Sequence, residues 1–484
     1  RHYNFTPVRV CTSGKVESIY RNLVEMDFIR WLILLVLCND VLIQCLQHSH
    51  SYGMLSTPAF SSRQFLVKLR HQTNRRFMTQ SDLENLRVDD DLHILVIGGS
   101  GRVGGSAVCA LRSLYGDDSS VKISVGGRSA MNWRDYATSK SLPELGGVNF
   151  IEFDINKEDE LNSIVQSNDL IINTAGPFQG LQRSVVLEAA MKHGKKYLDV
   201  CDDIALSRVA RSAEMQQVAK DTNGIAIIST GIWPGCSSLL AQELIDELGG
   251  PKEVDKVVFS FYTAGSGGAG PTILSATFLI LGEDVLTYRN GQPVYYKSAT
   301  DVRSVDFGQG IGKREVARLN LIECESCHQL GIENVETFFG TSPPIWNKLF
   351  VLMANLIPQH ILKDRQKMDV FARFSLPMVR LVDNLVGSQN GIRVDVTSKT
   401  GEIRTGILSH NDLEKCVGDA IAAFAVELLA ATAATTTTTT AESSKSSIPS
   451  GVYFPEEVPS EIFKANIMKQ ISKDAILYTN DWKM

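Results

Sequence analysis

The chain has 484 residues, a formal net charge of −6 at pH 7 and a hydrophobic content of 44%. This length accommodates two domains with large cores, and the mildly acidic charge gives no reason to expect a nucleic-acid partner. The nine cysteines are odd in number and scattered along the chain, so we expect no disulfide framework and a reducing compartment.

Residues 1–90 have the composition of a presequence. An apolar run at 28–38 has the length of a signal-peptide core, and residues 58–80 contain five Lys or Arg and no acidic residue, as in an organelle transit peptide. We therefore predict import into a plastid by a signal plus transit presequence. The alternatives are import into a mitochondrion or the endoplasmic reticulum, and a membrane anchor in the same apolar region. Two start points are left open: translation that includes residues 1–25, or translation that begins at Met26, in which case residues 1–25 are untranslated.

A glycine-rich turn follows the first predicted strand, at residues 93–97. Gly99, Gly101 and Gly104 have G-x-G-x-x-G spacing, and Gly98 adds a second register. Such glycines turn the chain, let backbone amides approach a pyrophosphate and let a helix pack closely on a strand. The residues assigned to a dinucleotide on this basis are Gly98, Gly99, Ser100, Gly101, Arg102, Val103 and Gly104.

The second predicted strand covers residues 121–125, and the residues that follow it indicate whether the cofactor is NAD or NADP. NAD-specific enzymes usually place Asp or Glu there to bind the ribose 2′-hydroxyl, whereas this chain has Arg128 and no carboxylate beside it in the sequence. A guanidinium favours a 2′-phosphate, so we predict NADP(H), with Ser129 and Arg102 in the same pocket. The alternative is a solvated loop arginine.

Four more predicted strands complete the first half of the chain, at 148–154, 169–173, 196–201 and 224–229. Because helical segments separate them, they predict an α/β fold with a doubly wound parallel sheet. Asp154 is expected to reach the adenine. The loop after the fourth strand is assigned to the nicotinamide through Asn173, Ala175, Gly176 and Pro177.

The next segment carries a more specific pattern. The strand, G-x-x-P-G turn and helix of residues 225–244 follow Tyr197-Leu-Asp-Val-Cys-Asp-Asp203. Further matching stretches lie at 265–272, 288–294, 302–314 and 451–457. Together these motifs resemble the saccharopine dehydrogenase-like NADP-binding family over residues 92–475.

The resemblance implies a Rossmann domain interrupted by an α+β domain that binds substrate and often forms a homodimer. The expected parts are a presequence at 1–90, an NADP-binding domain at 91–230, a substrate and dimerisation domain at 231–410, and a segment at 411–484 that returns to the Rossmann domain. A Thr/Ser-rich stretch at 429–447 is expected to be a disordered insertion.

The implied activity is hydride transfer between NADP(H) and a C–N or C–O bond of a small-molecule substrate. The candidate proton donors are Asp202, Asp203 and Tyr262. His193 is a further candidate. The two aspartates also suit the start of a helix, and His193 suits a helix end. Substrate binding is assigned to Pro234, Gly235, Gly267 and Gly268.

Two other functions remain open. A non-catalytic NADP(H)-binding scaffold or sensor would use the amphipathic residues 345–386, which suit a core, a dimer surface or peripheral membrane contact. A short-chain reductase or epimerase would use Tyr136 and Lys140 in Y-x-x-x-K spacing. That tyrosine, however, follows the second predicted strand and not the fifth.

Cys324-Glu-Ser-Cys-His328 matches the haem-attachment pattern C-x-x-C-H, and its two cysteines have the spacing of a redox pair. We expect no haem, because the pattern lies inside the substrate domain. A thiol switch at Cys324 and Cys327 is left open. No further ligands stand at zinc-site spacing, so we predict no metal.

Overall fold

The computed structural model describes residues 91–116, 120–140, 148–265, 270–437 and 448–482. These residues lie within one unit of the chain, Met78–Met484. The presequence, Gly267 and Gly268 lie outside the described residues, so the interpretations placed on them stay predictions.

Strands and helices alternate in the first half of the chain. In order they are β1 (Leu92–Ile97), α1 (Arg102–Tyr115), β2 (Val121–Gly127), α2 (Ala130–Lys140), β3 (Asn149–Glu152), α3 (Glu158–Gln166), β4 (Leu170–Asn173), α4 (Val185–Lys192), β5 (Lys196–Asp199), α5 (Ile204–Ala210), α6 (Ala213–Thr222), β6 (Ile225–Ile227) and α7 (Cys236–Glu247).

The first sheet is parallel and has seven strands. Its order is β3-β2-β1-β4-β5-β6, followed at the edge by β15 (Gly451–Tyr453), which pairs with β6. All four residues of β4 are buried, as expected for a strand covered by helices on both faces. The predicted doubly wound α/β sheet is confirmed.

The remaining elements form the second half. They are β7 (Val254–Ala264), α8 (Pro271–Leu281), β8 (Asp284–Arg289), β9 (Gln292–Lys297), β10 (Arg303–Asp306), β11 (Lys313–Arg318), α9 (Glu323–Gln329), β12 (Asn334–Ser342), α10 (Pro344–Leu356), α11 (Gln359–Leu362), α12 (Arg365–Val386), β13 (Asn390–Ser398), β14 (Ile403–His410), α13 (Leu413–Thr437), α14 (Glu461–Ser472) and β16 (Leu477–Thr479).

The second sheet is mixed. Its main order is β10-β11-β12-β7-β13-β14-β16, and β8 and β9 form a hairpin attached to β12. β7 pairs in parallel with β12 and antiparallel with β13. The C-terminal segment contributes to both sheets, because β15 extends the first and β16 pairs with β14 in the second.

One expectation about this segment is wrong in part. Residues 429–437 belong to α13, which ends at Thr437, and therefore are not a disordered insertion. Their alanines favour a helix, and Leu429 and Ala431 are buried in the core. Residues 438–447 lie outside the described ranges. Within those ranges, no helix combines the length and the apolar character that crossing a membrane requires.

Candidate functional site

The glycine-rich turn joins β1 to α1 beside the end of β4. Gly98 has a φ of +80°, and its N–H donates to the Gly126 carbonyl at 2.9 Å. A Cβ at Gly98 would lie 2.9 Å from the Ala175 backbone nitrogen. Any other residue would therefore be strained and would collide with the β4 loop.

The N-terminus of α1 is built to receive an anion. Gly101 is its N-cap and provides no side-chain hydrogen bond, and the first turn carries no acidic residue. A Cβ at Gly104 would lie 2.3 Å from Thr174 Oγ1, so the helix and the β4 loop approach closely only because this residue is glycine. Open amides at a helix N-terminus bind phosphate groups, and these residues fit the pyrophosphate of a dinucleotide.

Arg102 makes a contact that the sequence did not indicate, while its assignment to the cofactor pocket stays a prediction. Its Nε and Nη2 donate to Glu414 Oε2 of α13 at 2.9 and 2.7 Å. The guanidinium is thus engaged by a carboxylate and braces α13 against the glycine turn. Val103, also assigned to the cofactor, is half-buried and packs against the core.

Arg128 lies at the end of β2, where its side chain is exposed. Ser129 accepts a hydrogen bond from the Asn132 amide at 3.3 Å at the start of α2. Asp154 at the end of β3 accepts hydrogen bonds from the Asn156 backbone and side chain, which lower its pKa, and the Arg128 charge lowers it further. A carboxylate therefore does neighbour Arg128, contrary to the expectation from the sequence, because the ends of β2 and β3 are adjacent.

The loop after β4 is held from both sides. Asn173 Oδ1 accepts from the Ala175 amide at 3.1 Å. Arg365 of α12 donates to the Pro177 carbonyl at 3.0 Å. A Cβ at Gly176 would lie 3.7 Å from Thr272 in α8. The loop assigned to the nicotinamide therefore faces elements of the second half of the chain.

A buried polar chain that the sequence did not suggest fixes the ends of the central strands. Asn173 Nδ2 donates to the Tyr197 hydroxyl at 3.2 Å, and Tyr197 donates to Asp199 Oδ2 at 3.0 Å. Asp199 Oδ1 accepts from the Ser229 amide at 2.8 Å, while burial raises the pKa of Asp199 to about 6. Polar residues at the ends of successive apolar strands were the available signal for this network.

The two aspartates after β5 separate into different roles. Asp203 is the N-cap of α5 and accepts from the Leu206 amide at 2.6 Å. Asp202 makes no such cap. Burial raises the pKa of Asp202 to about 6, against the opposing effect of the neighbouring Gln179 amide. A carboxyl group with a raised pKa beside the β4 loop can hold a proton near neutral pH.

The other predicted donors have structural contacts. The Tyr262 hydroxyl donates to Ser342 Oγ at 2.7 Å, and its ring packs 5.7 Å from that of Phe307. His193 ends α4, and its Nε2 lies 3.0 Å from Asn162 Oδ1. Neither contact places the side chain at the β4 loop.

Pro234 and Gly235 are buried in the turn between β6 and α7. Gly231 and Gly235 form a backbone bridge across this turn, and the Cys236 amide donates to the Gly231 carbonyl at 3.1 Å. The turn positions α7, and its assignment to substrate binding stays a prediction.

The short-chain reductase interpretation finds no support in the position of Tyr136. This residue is buried in α2, where a Cβ at Gly105 would lie 2.3 Å from its ring. Its hydroxyl donates to Glu414 Oε1 at 3.4 Å, and burial raises its pKa. Tyr136 of α2 therefore packs against α1 and α13.

The C-x-x-C-H stretch forms α9, between β11 and β12. Cys324 and Cys327 are buried free thiols, and burial raises the pKa of both. The His328 ring stacks 3.5 Å from the Tyr288 ring. Over the described residues, no group of three or more His, Cys, Asp or Glu side chains is arranged to hold a metal.

Comparisons with known proteins agree with this geometry. Residues 94–227 match the family model of the saccharopine dehydrogenase NADP binding domain. No curated protein sequence matches the chain.

The solved structures include an apo saccharopine dehydrogenase (L-Glu forming) from Saccharomyces cerevisiae, with 12% identity and a TM-score of 0.53, covering 80% of this chain and 98% of that one. GenD2 from gentamicin A biosynthesis, in complex with NAD, has 12% identity and a TM-score of 0.32, covering 65% of this chain and 72% of that one. A short-chain dehydrogenase/reductase from Saccharomyces cerevisiae has 16% identity and a TM-score of 0.22, covering 28% of this chain and 69% of that one.

At 12% identity the yeast match shows a shared fold. The family model adds a nicotinamide-nucleotide site to the first sheet and supports an oxidoreductase. Residues 94–227 therefore form a saccharopine dehydrogenase-type NADP-binding domain within this chain.

Proposed function

We propose that the protein is an NADP(H)-dependent oxidoreductase that transfers a hydride at a C–N or C–O bond of a small substrate. The observation that carries the choice of NADP(H) is Arg128, which is exposed directly after β2. A guanidinium there binds a 2′-phosphate through charge-assisted hydrogen bonds. Asp154 is itself hydrogen-bonded to Asn156, so its carboxylate is directed into its own turn.

The chain supplies binding and proton transfer. The amides of α1 bind the pyrophosphate, and the Asn173–Pro177 loop orients the nicotinamide end. When bound, the reduced nicotinamide supplies the hydride. Asp202, whose raised pKa of about 6 keeps a fraction of its carboxyl groups protonated near neutral pH, delivers the proton to the substrate nitrogen or oxygen.

The test is fluorescence titration of the protein with NADPH and with NADH. We expect NADPH to bind at least about tenfold more tightly, because a charge-assisted hydrogen bond contributes about 1.5–3 kcal/mol. Arg128→Asp should abolish this preference. Arg134→Asp makes the same charge change at an exposed position of α2 and should preserve it.

Equal binding of NADH and NADPH by the wild-type protein would contradict the NADP(H) assignment. Absence of binding by either nucleotide would contradict the oxidoreductase itself. In that case the scaffold alternative would stand, without a sensing role.

A further inference from the structure

Three polar side chains form one rung across the second sheet. Asn390 of β13 lies opposite Thr263 of β7 on one side and opposite His410 of β14 on the other. Directly opposed residues share a face of a sheet, so the three side chains project to the same side. All three are buried, with exposures of 7% for Thr263, 1% for Asn390 and 5% for His410.

The rung faces the side of the sheet that α7 covers. Two residues earlier on β7, the Phe261 ring lies 5.7 Å from Trp233 in the turn that leads into α7. On β14, a Cβ at Gly406 would lie 2.8 Å from Leu240 of α7. Side chains alternate between faces along a strand, which places Thr263 with Phe261 and His410 with Gly406.

The two connections that leave the rung both reach the cofactor loop. The chain runs from Thr263 to Gly270, where a Cβ would lie 3.6 Å from Arg102. From His410 it runs into α13, whose Glu414 binds Arg102. The segments that follow β7 and β14 thus both include a residue close to Arg102 at the start of α1.

Each member of the rung has an atom without a hydrogen-bond partner among the described residues: Thr263 Oγ1, Asn390 Nδ2 and His410 Nε2. A buried polar atom that makes no hydrogen bond costs stability, and three such atoms side by side indicate a missing partner. Below the rung the same face is apolar, with Phe261, Ile392 and Leu408.

The three atoms offer both donors and an acceptor. Asn390 Nδ2 donates and the Thr263 hydroxyl does either. Burial and Lys415 lower the pKa of His410 to about 4, opposed by the charge and backbone of Asp474, so the ring is neutral at pH 7. Because Nε2 has no partner, we assign the Asp474 backbone contact to Nδ1–H, which leaves Nε2 as an acceptor.

The cations close to the rung already have partners. Arg102 is paired with Glu414, and Lys415 lies 2.7 Å from Asp419 and 2.6 Å from Asp474. A buried carboxylate needs a compensating charge, so an uncharged ligand suits this surface better.

We propose that Thr263, Asn390 and His410 bind an uncharged polar group of the substrate, a hydroxyl or a primary carboxamide, that both accepts and donates hydrogen bonds. The inference rests on the proposed function, since it assigns the rung to that enzyme's substrate. It also predicts that a carboxylate binds poorly at this position.

The test measures binding of cyclohexanecarboxamide, cyclohexanol and cyclohexanecarboxylate to the full chain by saturation-transfer NMR, with and without NADPH. These probes share a ring and differ in the polar group. We expect saturable binding of the amide or the alcohol and at least about tenfold weaker binding of the carboxylate. Asn390→Leu and Thr263→Val should each weaken the favoured probe at least about tenfold. Thr263→Ser keeps the hydroxyl and should bind within about threefold of wild type.

Two further readouts separate the outcomes. Thr263→Val should not lower the melting temperature, because it removes a buried hydroxyl that has no partner; a marked loss would indicate a structural role and overturn the proposal. Stronger binding of the carboxylate, binding unaffected by both variants, or no binding of any probe would overturn it as well. NADPH titration of the wild-type protein and of the same variants tests the proposed function separately. If the proposed function is wrong, the wild-type protein itself will fail to bind NADPH.

Discussion

Asp202 is the residue whose chemistry departs most usefully from its ordinary behaviour. Its carboxyl group follows β5, burial raises its pKa to about 6, and the Gln179 amide and the charges of Asp199 and Asp203 modify that pKa. A buried carboxyl group that is ionised at pH 7, although ionisation lowers the stability of the fold, is characteristic of functional sites.

Asp202→Asn should therefore stabilise the protein at pH 7. Between the unfolded pKa of 3.8 and the folded pKa of about 6, the Asp202 carboxyl group is protonated in the native state but ionised in the unfolded state. The stability of the wild-type protein therefore falls as the pH rises through this window. We expect the variant to gain about 1–3 kcal/mol at pH 7 and almost nothing near pH 4, measured by urea unfolding at both values.

Asp203→Asn is the matched control. Asp203 caps α5 through the Leu206 amide, and asparagine is an equally good cap, so the change in the cap itself should alter stability by less than about 0.5 kcal/mol. Burial also raises the pKa of Asp203, so we expect a gain at pH 7 that is smaller than the gain for Asp202→Asn. A gain for Asp202→Asn that is the same at pH 4 and pH 7 would show that burial does not raise the pKa of this carboxyl group.

Among the elements, β12 carries the most concentrated charge network. Glu336 is 4% exposed, and its carboxylate contacts Lys256 at 2.6 Å and Arg318 at 3.0 Å, with Arg289 and Arg303 farther away. These cations lower the pKa of Glu336 to about 2, although burial opposes them. The network joins β7, β8, β10, β11 and β12.

Glu336→Gln should destabilise the protein by about 3 kcal/mol at pH 7, because it leaves Arg318 buried with less compensating charge. The carboxylate contributes stability above its unfolded pKa of 4.5, and this contribution is lost as the pH falls towards 2. The destabilisation measured by urea unfolding should thus shrink between pH 5 and pH 3.

Glu315→Gln on β11 changes an exposed side chain of the same sheet and should alter stability by less than about 0.5 kcal/mol. If Glu336→Gln were equally mild at pH 7, the network would be a surface feature of little energetic value.

At the scale of the whole molecule, the C-terminal segment connects the two sheets. β15 completes the first sheet beside β6, and β16 pairs with β14 in the second. Between them Phe454, Phe463 and Ile467 are buried in the main core. Both halves of the fold consequently depend on the last forty residues of the chain.

Truncation after residue 447 should therefore give insoluble protein, since it exposes the edge of β6 and empties a large apolar region. Replacing residues 438–447 by a Gly/Ser linker of the same length keeps every described contact and should leave the soluble yield and melting temperature near wild type. A soluble truncated chain with an unchanged circular dichroism spectrum would show that the segment is dispensable.

Several features of this fold were predictable because they are local. The apolar runs of β1 and β4, the glycines after β1 and the helix that begins at Arg102 follow from residues close together in the chain. The order of strands and helices then implies a parallel sheet, since parallel strands need a crossover between them. The position of Arg128 depends only on where β2 ends.

Other features required the folded chain. Glu414 pairs with Arg102 although 312 positions separate them. Asp154 comes close to Arg128 because β2 and β3 are neighbouring strands. The helix α13 continues into the low-complexity stretch, where Leu429 and Ala431 are buried in the core.

The sequence by itself determined the class of the fold and the phosphate-binding turn, because backbone geometry and hydrophobic periodicity act over a few residues. The folded chain was needed to show that Asp203 caps a helix, that burial raises the pKa of Asp202, and that Thr263, Asn390 and His410 share one face. Burial and strand register decide both, and each depends on contacts between distant parts of the chain.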